Sequence, residues 1–385
     1  VQPTNIAFLA FTRKAAEEAR ERAAARFNLD PKQDLFFFKT LHSLALSMTD
    51  IRTDQVMQPE HYRELGNAIG VSLHSEKTNR FSDIPETQKS SDPVLGLINL
   101  AILRKVPLRT QYNISRIDES WNVVKYVDEA LTKYKKSYNL YDFTDMLRVF
   151  AETGESCCPR FAVTFLDEAQ DLSPLQWDIA HMLDRRSEKM YCAGDDDQAI
   201  YRWAGADVEH FIGLEGGSET LSQSYRVPEL PWEIAQNIAR RIHRRFPKTY
   251  KPREEKGFVT RISMINELDL SEGSWLILAQ AAYLLQDVSS DLKAMGLLFT
   301  FRGHRSVSER MSEAIRGWEQ LRNNKEILGR AVKSIYSYMS SKDRIKRGFK
   351  RLGGLEEDQM FSFDVLVKDY GLLATKDMIW HVAMD

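Results

Sequence analysis

No Gly-Lys dipeptide occurs anywhere in the 385 residues of this chain, so it holds no phosphate-binding loop of the Gly-x-x-x-x-Gly-Lys-Ser/Thr kind. It has no apolar run long enough to span a bilayer as a helix, although hydrophobic residues make up 43% of it. Cysteine is scarce: Cys157, Cys158 and Cys192 lack metal-ligand spacing, and the adjacent pair is a poor disulfide candidate. Reduced thiols in a cytoplasm are the expected state. An excess of basic charge is missing too. Lys and Arg number 53 against 55 Asp and Glu, so affinity for nucleic acid would have to come from local patches. No internal repeat or low-complexity tract stands out, and the length allows two or three domains.

What is present starts with carboxylates. The run Phe161-Ala162-Val163-Thr164-Phe165-Leu166 reads as a buried strand, and Asp167-Glu168-Ala169-Gln170-Asp171 follows it directly. In a parallel α/β sheet, ligands sit beyond the carboxyl ends of the strands. An Asp-Glu pair there can divide the work of nucleotide hydrolysis, Asp167 holding Mg²⁺ and Glu168 orienting or deprotonating the attacking water. Acidic pairs also end exposed strands with no chemistry attached, so the segment needs company.

That company is a second strand-like run, 189–193, leading into Gly194-Asp195-Asp196-Asp197-Gln198-Ala199-Ile200-Tyr201-Arg202-Trp203-Ala204-Gly205-Ala206. Gly194 lets the chain turn sharply, and Asp195 to Asp197 are expected to add acid beside the metal. The Gln198 amide can donate to a phosphate oxygen and accept from water. Tyr201, Arg202 and Trp203 supply flat and cationic surfaces on which unpaired bases stack. The competing interpretation is an acidic turn followed by core aromatics.

Together these segments resemble motifs II and III of the UvrD/Rep/PcrA group of superfamily-one DNA helicases. Ala7-Phe8-Leu9-Ala10-Phe11-Thr12-Arg13-Lys14-Ala15-Ala16 resembles motif Ia, and Lys39-Thr40-Leu41-His42-Ser43 resembles motif Ib. Leu221-Ser222-Gln223-Ser224-Tyr225-Arg226 resembles motif IV, and Tyr141-Asp142-Phe143-Thr144-Asp145-Met146-Leu147 is a lesser match to the segment leading back into the first motor domain. The five main motifs stand in the family's order over residues 1–226. The family's lysine loop and its motifs V and VI are absent. The expectation is an internal portion of a longer helicase that does not by itself hydrolyse ATP at a useful rate.

The resemblance implies an α/β fold class: two RecA-like P-loop NTPase domains with parallel sheets, both incomplete, plus helical insertions. The expected bounds are 1–48 with 141–222 for the first motor domain and 49–140 for its helical insertion. The second motor domain is expected over 223–303, with the start of its insertion over 304–385. Local patterns predict strands over 6–11 and 35–39, helices over 13–27 and after His42, and a helix over 117–138 beyond a polar stretch at 75–93. For the second unit they predict strands over 257–262, 274–278 and 297–301 and a helix over 281–295.

By the same resemblance the cofactors are ATP and Mg²⁺, with the metal on Asp167 and the attacking water on Glu168. Gln198 reports the γ-phosphate to the DNA surface, Arg226 is an arginine finger, Tyr225 stacks on adenine, and Gln170 and Asp171 brace the site. Closure through Arg226 would draw the two α/β units together in each ATP cycle. Phe11, Thr12, Arg13, Thr40, His42, Tyr201, Arg202 and Trp203 match positions lining a single-strand groove, with a capping or core role the alternative for His42. Ala204 stands where relatives often carry a larger polar residue. The implied partners are single-stranded DNA, single/double-strand junctions and accessory replication or repair proteins, with no membrane. The implied place is the nucleoid-associated cytoplasm of a bacterial or phage-infected cell, and the implied direction is 3′ to 5′.

Basic clusters occur at Arg13 and Lys14, at Arg240, Arg241, Arg244 and Arg245 with Lys248 and Lys251, and most densely from Lys342 to Arg351. Each reads first as a solvated helix face, the last being the better candidate for nucleic acid. Rival readings are a non-catalytic helicase relic, the helicase part of a nuclease–helicase fusion, and an RNA motor of the same superfamily. The stretch from Gln198 to Trp203 resembles the DNA group more closely.

Overall fold

A computed structural model describes residues 1–73, 92–301, 303–340 and 355–378. It divides into two compact units, residues 1–259 and 260–385. In the first, β1 (Ile6–Ala10), β2 (Phe38–Thr40), β3 (Phe161–Leu166) and β4 (Ser187–Cys192) make one parallel sheet in the order β2-β1-β3-β4. Strand alternation turns Ala7 and Leu9 into the core. Phe8 lies on the opposite face in register with Phe38 and Phe165, and Phe165 with Tyr191. The four rings make a row across the whole sheet, with centroids 5.5, 6.5 and 5.4 Å apart.

Each helix that follows a strand has a readable start. Thr12 caps α1 (Arg13–Phe27) by accepting from the Ala15 N–H, and Asn28 ends it with a left-handed φ of 52°. Thr40 caps α2 (Leu41–Met48) in the same way, accepting from Ser43. The chain then leaves the sheet for α3 (Pro59–Ile69), α4 (Pro93–Leu103), α5 (Leu108–Ile114) and α6 (Trp121–Tyr138). It returns through α7 (Phe143–Cys157) to β3, α8 (Pro174–Arg185) and β4. Leu9, Leu44, Phe150, Leu166, Trp177 and Leu183 share the sheet's core, while Leu65, Leu97, Val124, Val127 and Leu131 form a separate core for the helical excursion. Where the excursion rejoins, the Lys135 ammonium sits 2.8 Å from Asp142 and 2.6 Å from Asp145. Most of the polar stretch 75–93 lies outside the described residues.

Beyond β4 the first unit adds α9 (Val208–Ile212) and α10 (Glu229–Ala239). The second unit opens with α11 (Leu285–Ala294) and a small antiparallel pair, β5 (Thr300–Phe301) with β6 (His304–Arg305). Then come α12 (Glu309–Arg322), β7 (Ile327–Leu328), α13 (Gly329–Tyr338), β8 (Met360–Phe361) and α14 (Phe363–Tyr370), closed around Trp318, Ile335, Phe361 and Leu366.

The α/β class holds in the first unit, but the second parallel sheet is not formed among the described residues. Residues 257–262 and 274–278 run without a ladder partner, leaving Phe258, Leu276 and Leu278 exposed, and 297–301 contributes only β5. Apolar, β-branched composition makes a segment suited to a sheet, but a ladder forms only where a neighbouring strand exchanges N–H and C=O bonds with it; otherwise water takes those groups. The basic group from Lys342 to Arg351 lies outside the described residues.

Candidate nucleotide and nucleic-acid site

All four parallel strands end on the same edge of the sheet. From β1 the chain goes to β2 on one side and later to β3 on the other, so strand order reverses between β1 and β3. A ligand crevice belongs at such a switch point. The loops at this edge are knitted together by backbone bonds: Asp167 N–H to Leu9 O at 2.8 Å, Ala193 N–H to Leu166 O at 2.8 Å, and Ala169 N–H to Ala193 O at 2.9 Å.

Glu168 takes a left-handed backbone, φ 53°, a costly turn for a residue with a Cβ, and its side chain is exposed. Gln170, only 1% exposed, is the connector behind it. Its amide nitrogen donates to the Glu168 carboxylate at 2.7 Å and to Asp171 at 3.2 Å, and its oxygen accepts from the Asp195 N–H at 3.1 Å. Gly194 makes room for this, since a Cβ there would lie 2.4 Å from the Gln170 amide oxygen. Asp195 in turn accepts from the Gln198 side-chain amide at 2.5 Å. Glu168, Gln170, Asp195 and Gln198 therefore form one hydrogen-bonded path from the end of β3 to the loop after β4.

Burial, reinforced by the Glu168 charge, raises the Asp167 carboxyl above its ordinary range, against one hydrogen bond from the Glu168 N–H. The same two causes push Asp171 up to about 7. Among the described residues no basic side chain lowers either group. Negative charge without a compensating cation, on hard oxygen ligands, fits Mg²⁺, which usually takes one or two carboxylates and completes its shell with water and phosphate. Among the described residues no cluster of three or more candidate metal ligands exists, so Asp167 would hold the ion with few protein partners.

The acidic triplet is neutralised, contrary to expectation. Asp195 to Asp197 do not add free acid for a metal, because basic residues from the segment after α10 neutralise them. The Lys248 ammonium lies 2.7 Å from Asp195 and 3.2 Å from Asp197 and also bonds Asp196, while Arg245 grips Asp197 with two nitrogens, at 2.9 and 2.5 Å. Burial raises the Asp195 carboxyl, but hydrogen bonds from Lys248 and Gln198 and the Lys248 charge outweigh it and hold the group low.

On the strand-binding side, Phe11 packs against Tyr201 with centroids 5.3 Å apart, and Tyr201 lies 6.3 Å from Trp203, which is 63% exposed. Arg13 is exposed at the start of α1, and Arg202 is exposed beside Trp203. The Thr12 and Thr40 hydroxyl oxygens are engaged as helix caps. His42 is placed elsewhere: it is 8% exposed, edge-on to Phe143 at 6.2 Å, with Nε2 unpartnered. Leu41, Leu44 and Ala45 draw that side of α2 into the core, and burial together with the Arg13 charge lowers the imidazole to about 4. Burial removes it from the surface open to a strand. Tyr225, 86% exposed, and Arg226 lie in an irregular stretch secured by Ser224 N–H to Lys251 O at 2.9 Å. Among the described residues neither side chain bonds Asp167, Glu168 or Gln198.

Sequence reasoning placed Arg245 and Lys248 in a basic cluster but missed that they pair with Asp195 to Asp197. The available signal was a dense basic run at 240–248 in a chain whose only three-Asp run precedes Gln198.

A parallel sheet carrying an Asp-Glu turn and a glutamine loop on one carboxyl edge is that of a RecA-like P-loop helicase domain. Residues 1–216 match the UvrD/REP helicase N-terminal domain, and the chain belongs to that family. It is 25% identical over 331 residues to the "Putative ATP-dependent DNA helicase YjcD" of Bacillus subtilis (strain 168), covering 82% of this chain and 42% of that protein. It is 25% identical over 272 residues to "ATP-dependent DNA helicase PcrA" of Leuconostoc citreum, covering 67% of this chain and 36% of that one. It is 26% identical over 227 residues to "ATP-dependent DNA helicase Rep" of Buchnera aphidicola, covering 56% and 34%. The chain thus spans well under half the length of these relatives.

Proposed function

We propose that this chain works as part of an ATP-dependent DNA helicase or translocase that tracks along single-stranded DNA in the 3′ to 5′ direction. The observation that carries the reading is the hydrogen-bonded path Glu168–Gln170–Asp195–Gln198, which ends three residues before the aromatic row at Tyr201 and Trp203. Residues 1–48 with 141–222 serve as the first motor domain, 49–140 as its insertion, 223–303 as part of the second and 304–385 as the start of that domain's insertion.

In this reading Asp167 holds Mg²⁺, which when bound neutralises charge on the ATP phosphates. Glu168, exposed and tethered only through Gln170, orients the attacking water and takes its proton. Gln198 meets the terminal phosphate, Tyr225 stacks on the adenine, and Arg226 supplies a fixed positive charge as phosphoryl-transfer charge develops. Phe11, Tyr201 and Trp203 stack bases while Arg13 and Arg202 meet the backbone. With no Gly-Lys-Ser/Thr loop among its residues, the chain alone binds strand but turns over ATP negligibly. Junctions and accessory repair or replication proteins, in a bacterial cytoplasm near the nucleoid, are the setting this function would have.

The test is strand binding. A fluorescein-labelled oligothymidylate should bind the chain at low salt, and Trp203→Ala should weaken it roughly 5- to 150-fold, the worth of about 1–3 kcal/mol for one stacked base. No binding by the wild type, or an unchanged Kd in the variant, sinks the reading.

A further inference from the structure

Glu209, near the start of α9, holds two guanidinium groups at once. Arg202 Nη2 lies 3.1 Å from its Oε1, and Arg244 Nη1 lies 2.6 Å from its Oε2. One carboxylate against two fixed cations leaves a surplus positive charge beside Trp203, at the end of the aromatic row. Both arginine side chains are exposed and Glu209 is partly so, its Oε2 buried against Arg244 in an ion pair without a hydrogen bond. Ion pairs with this much solvent access contribute little stability.

The backbone beneath this arrangement is fixed. Arg104, at the end of α4, donates from Nη2 to the Arg202 carbonyl at 2.8 Å and from Nη1 to the buried Gln111 at 3.2 Å. Gly205, with φ +103°, sits close enough to α4 that an added Cβ would lie 3.1 Å from Leu100. The turn carrying Arg202 is therefore clamped to the helical excursion, while its guanidinium remains free to change partner.

We propose that Arg202 and Arg244 form a pincer for one backbone phosphate of a bound single strand, and that Glu209 occupies the phosphate's place when no strand is present. A carboxylate presents two oxygens to two guanidiniums much as a phosphodiester presents its two non-bridging oxygens. Glu209 is then a built-in competitor that weakens strand binding and keeps the pincer from closing on stray anions. The inference rests on the strand-binding reading above and goes beyond it by naming Arg244 as a phosphate ligand and Glu209 as an antagonist.

The experiment uses the whole chain and fluorescein-labelled oligothymidylate. Glu209→Gln should tighten binding roughly two- to fivefold, the amount that exposed ion pairs are worth. It should also steepen the salt dependence by about 0.7 for each further phosphate neutralised. Glu209→Ser should reproduce the tighter binding, and in an Arg202→Gln/Arg244→Gln background the improvement should vanish. Equal or weaker binding by both Glu209 variants overturns the proposal. So does an improvement that survives loss of both arginines, which marks a general charge effect. If ATP abolishes the improvement while the wild type's affinity for the strand is unchanged, the pincer serves nucleotide phosphate and the assignment to DNA is wrong. A wild type that binds no strand brings down the strand-binding reading itself, a result separate from the others.

Discussion

His42 shows how one buried side chain sets a pH response. Its folded-state pKa is about 4, below the ordinary 6.5, because burial and the Arg13 charge disfavour the imidazolium. At pH 7 the imidazole is neutral in the fold and mostly neutral in the unfolded chain, so it contributes little. As the pH falls below 6.5 the unfolded chain binds a proton that the native chain refuses, so stability is lost progressively down to about pH 4. By pH 5 the loss amounts to roughly 2 kcal/mol. Asp171 acts in the opposite sense: raised to about 7, it keeps its proton in the fold and favours the native state as the pH drops. Urea unfolding of wild type against His42→Phe isolates the histidine, since the replacement keeps a ring against Phe143 but cannot titrate. The difference between the two should grow from pH 7 to pH 5, and identical pH profiles would show that the imidazole is not held neutral. Nothing in the motif-like setting Lys39-Thr40-Leu41-His42-Ser43 distinguishes a groove histidine from a core one. The apolar neighbours Leu41, Leu44 and Ala45 on the short helix α2 were the legible hint.

At the scale of elements, the turn after β4 depends on a missing side chain. An added Cβ at Gly194 would fall 2.4 Å from the Gln170 amide oxygen and 2.9 Å from the Phe211 ring. Gln170 is buried with both ends of its amide engaged and has little room to yield. Gly194→Ala should therefore cost about 1–3 kcal/mol in unfolding free energy. Gly96→Ala, in the middle of α4 with nothing within 4 Å, should be neutral or stabilise by up to about 1 kcal/mol. Equal effects at the two sites would show that the β3 and β4 loops are not packed through Gln170. These elements were readable because their determinants are local: six apolar or β-branched residues for β3, Thr12 and Asn28 bracketing α1, Ser173 and Pro174 opening α8. What escaped the sequence was long-range. Lys248 and Asp196 are 52 residues apart, and no spacing rule links a basic run to the carboxylates it neutralises. The strand patterns at 257–262 and 274–278 likewise say what suits a sheet, not whether a partner strand lies alongside.

For the molecule as a whole, charge balance decides how a strand is held. With a net charge of −2 the chain has no overall field to gather polyanions, and the triplet Asp195 to Asp197 uses up Arg245 and Lys248 before any phosphate arrives. Among the described residues, binding then rests on stacking plus a few guanidinium and ammonium groups: Arg13 and Lys14 at the start of α1, and Arg202 beside Trp203, sharing one phosphate with Arg244. Three phosphate contacts at about 0.7 each predict that log Kobs for oligothymidylate falls with log salt at a slope near −2. The stacking contribution carries no such dependence, so a substantial share of the affinity should survive at high salt and disappear in Trp203→Ala. A slope much steeper than this, unchanged by Arg202→Gln, would mean that basic groups elsewhere dominate. The aromatic row would then be a minor contact, and the two sides of the sheet edge would have to be assigned afresh.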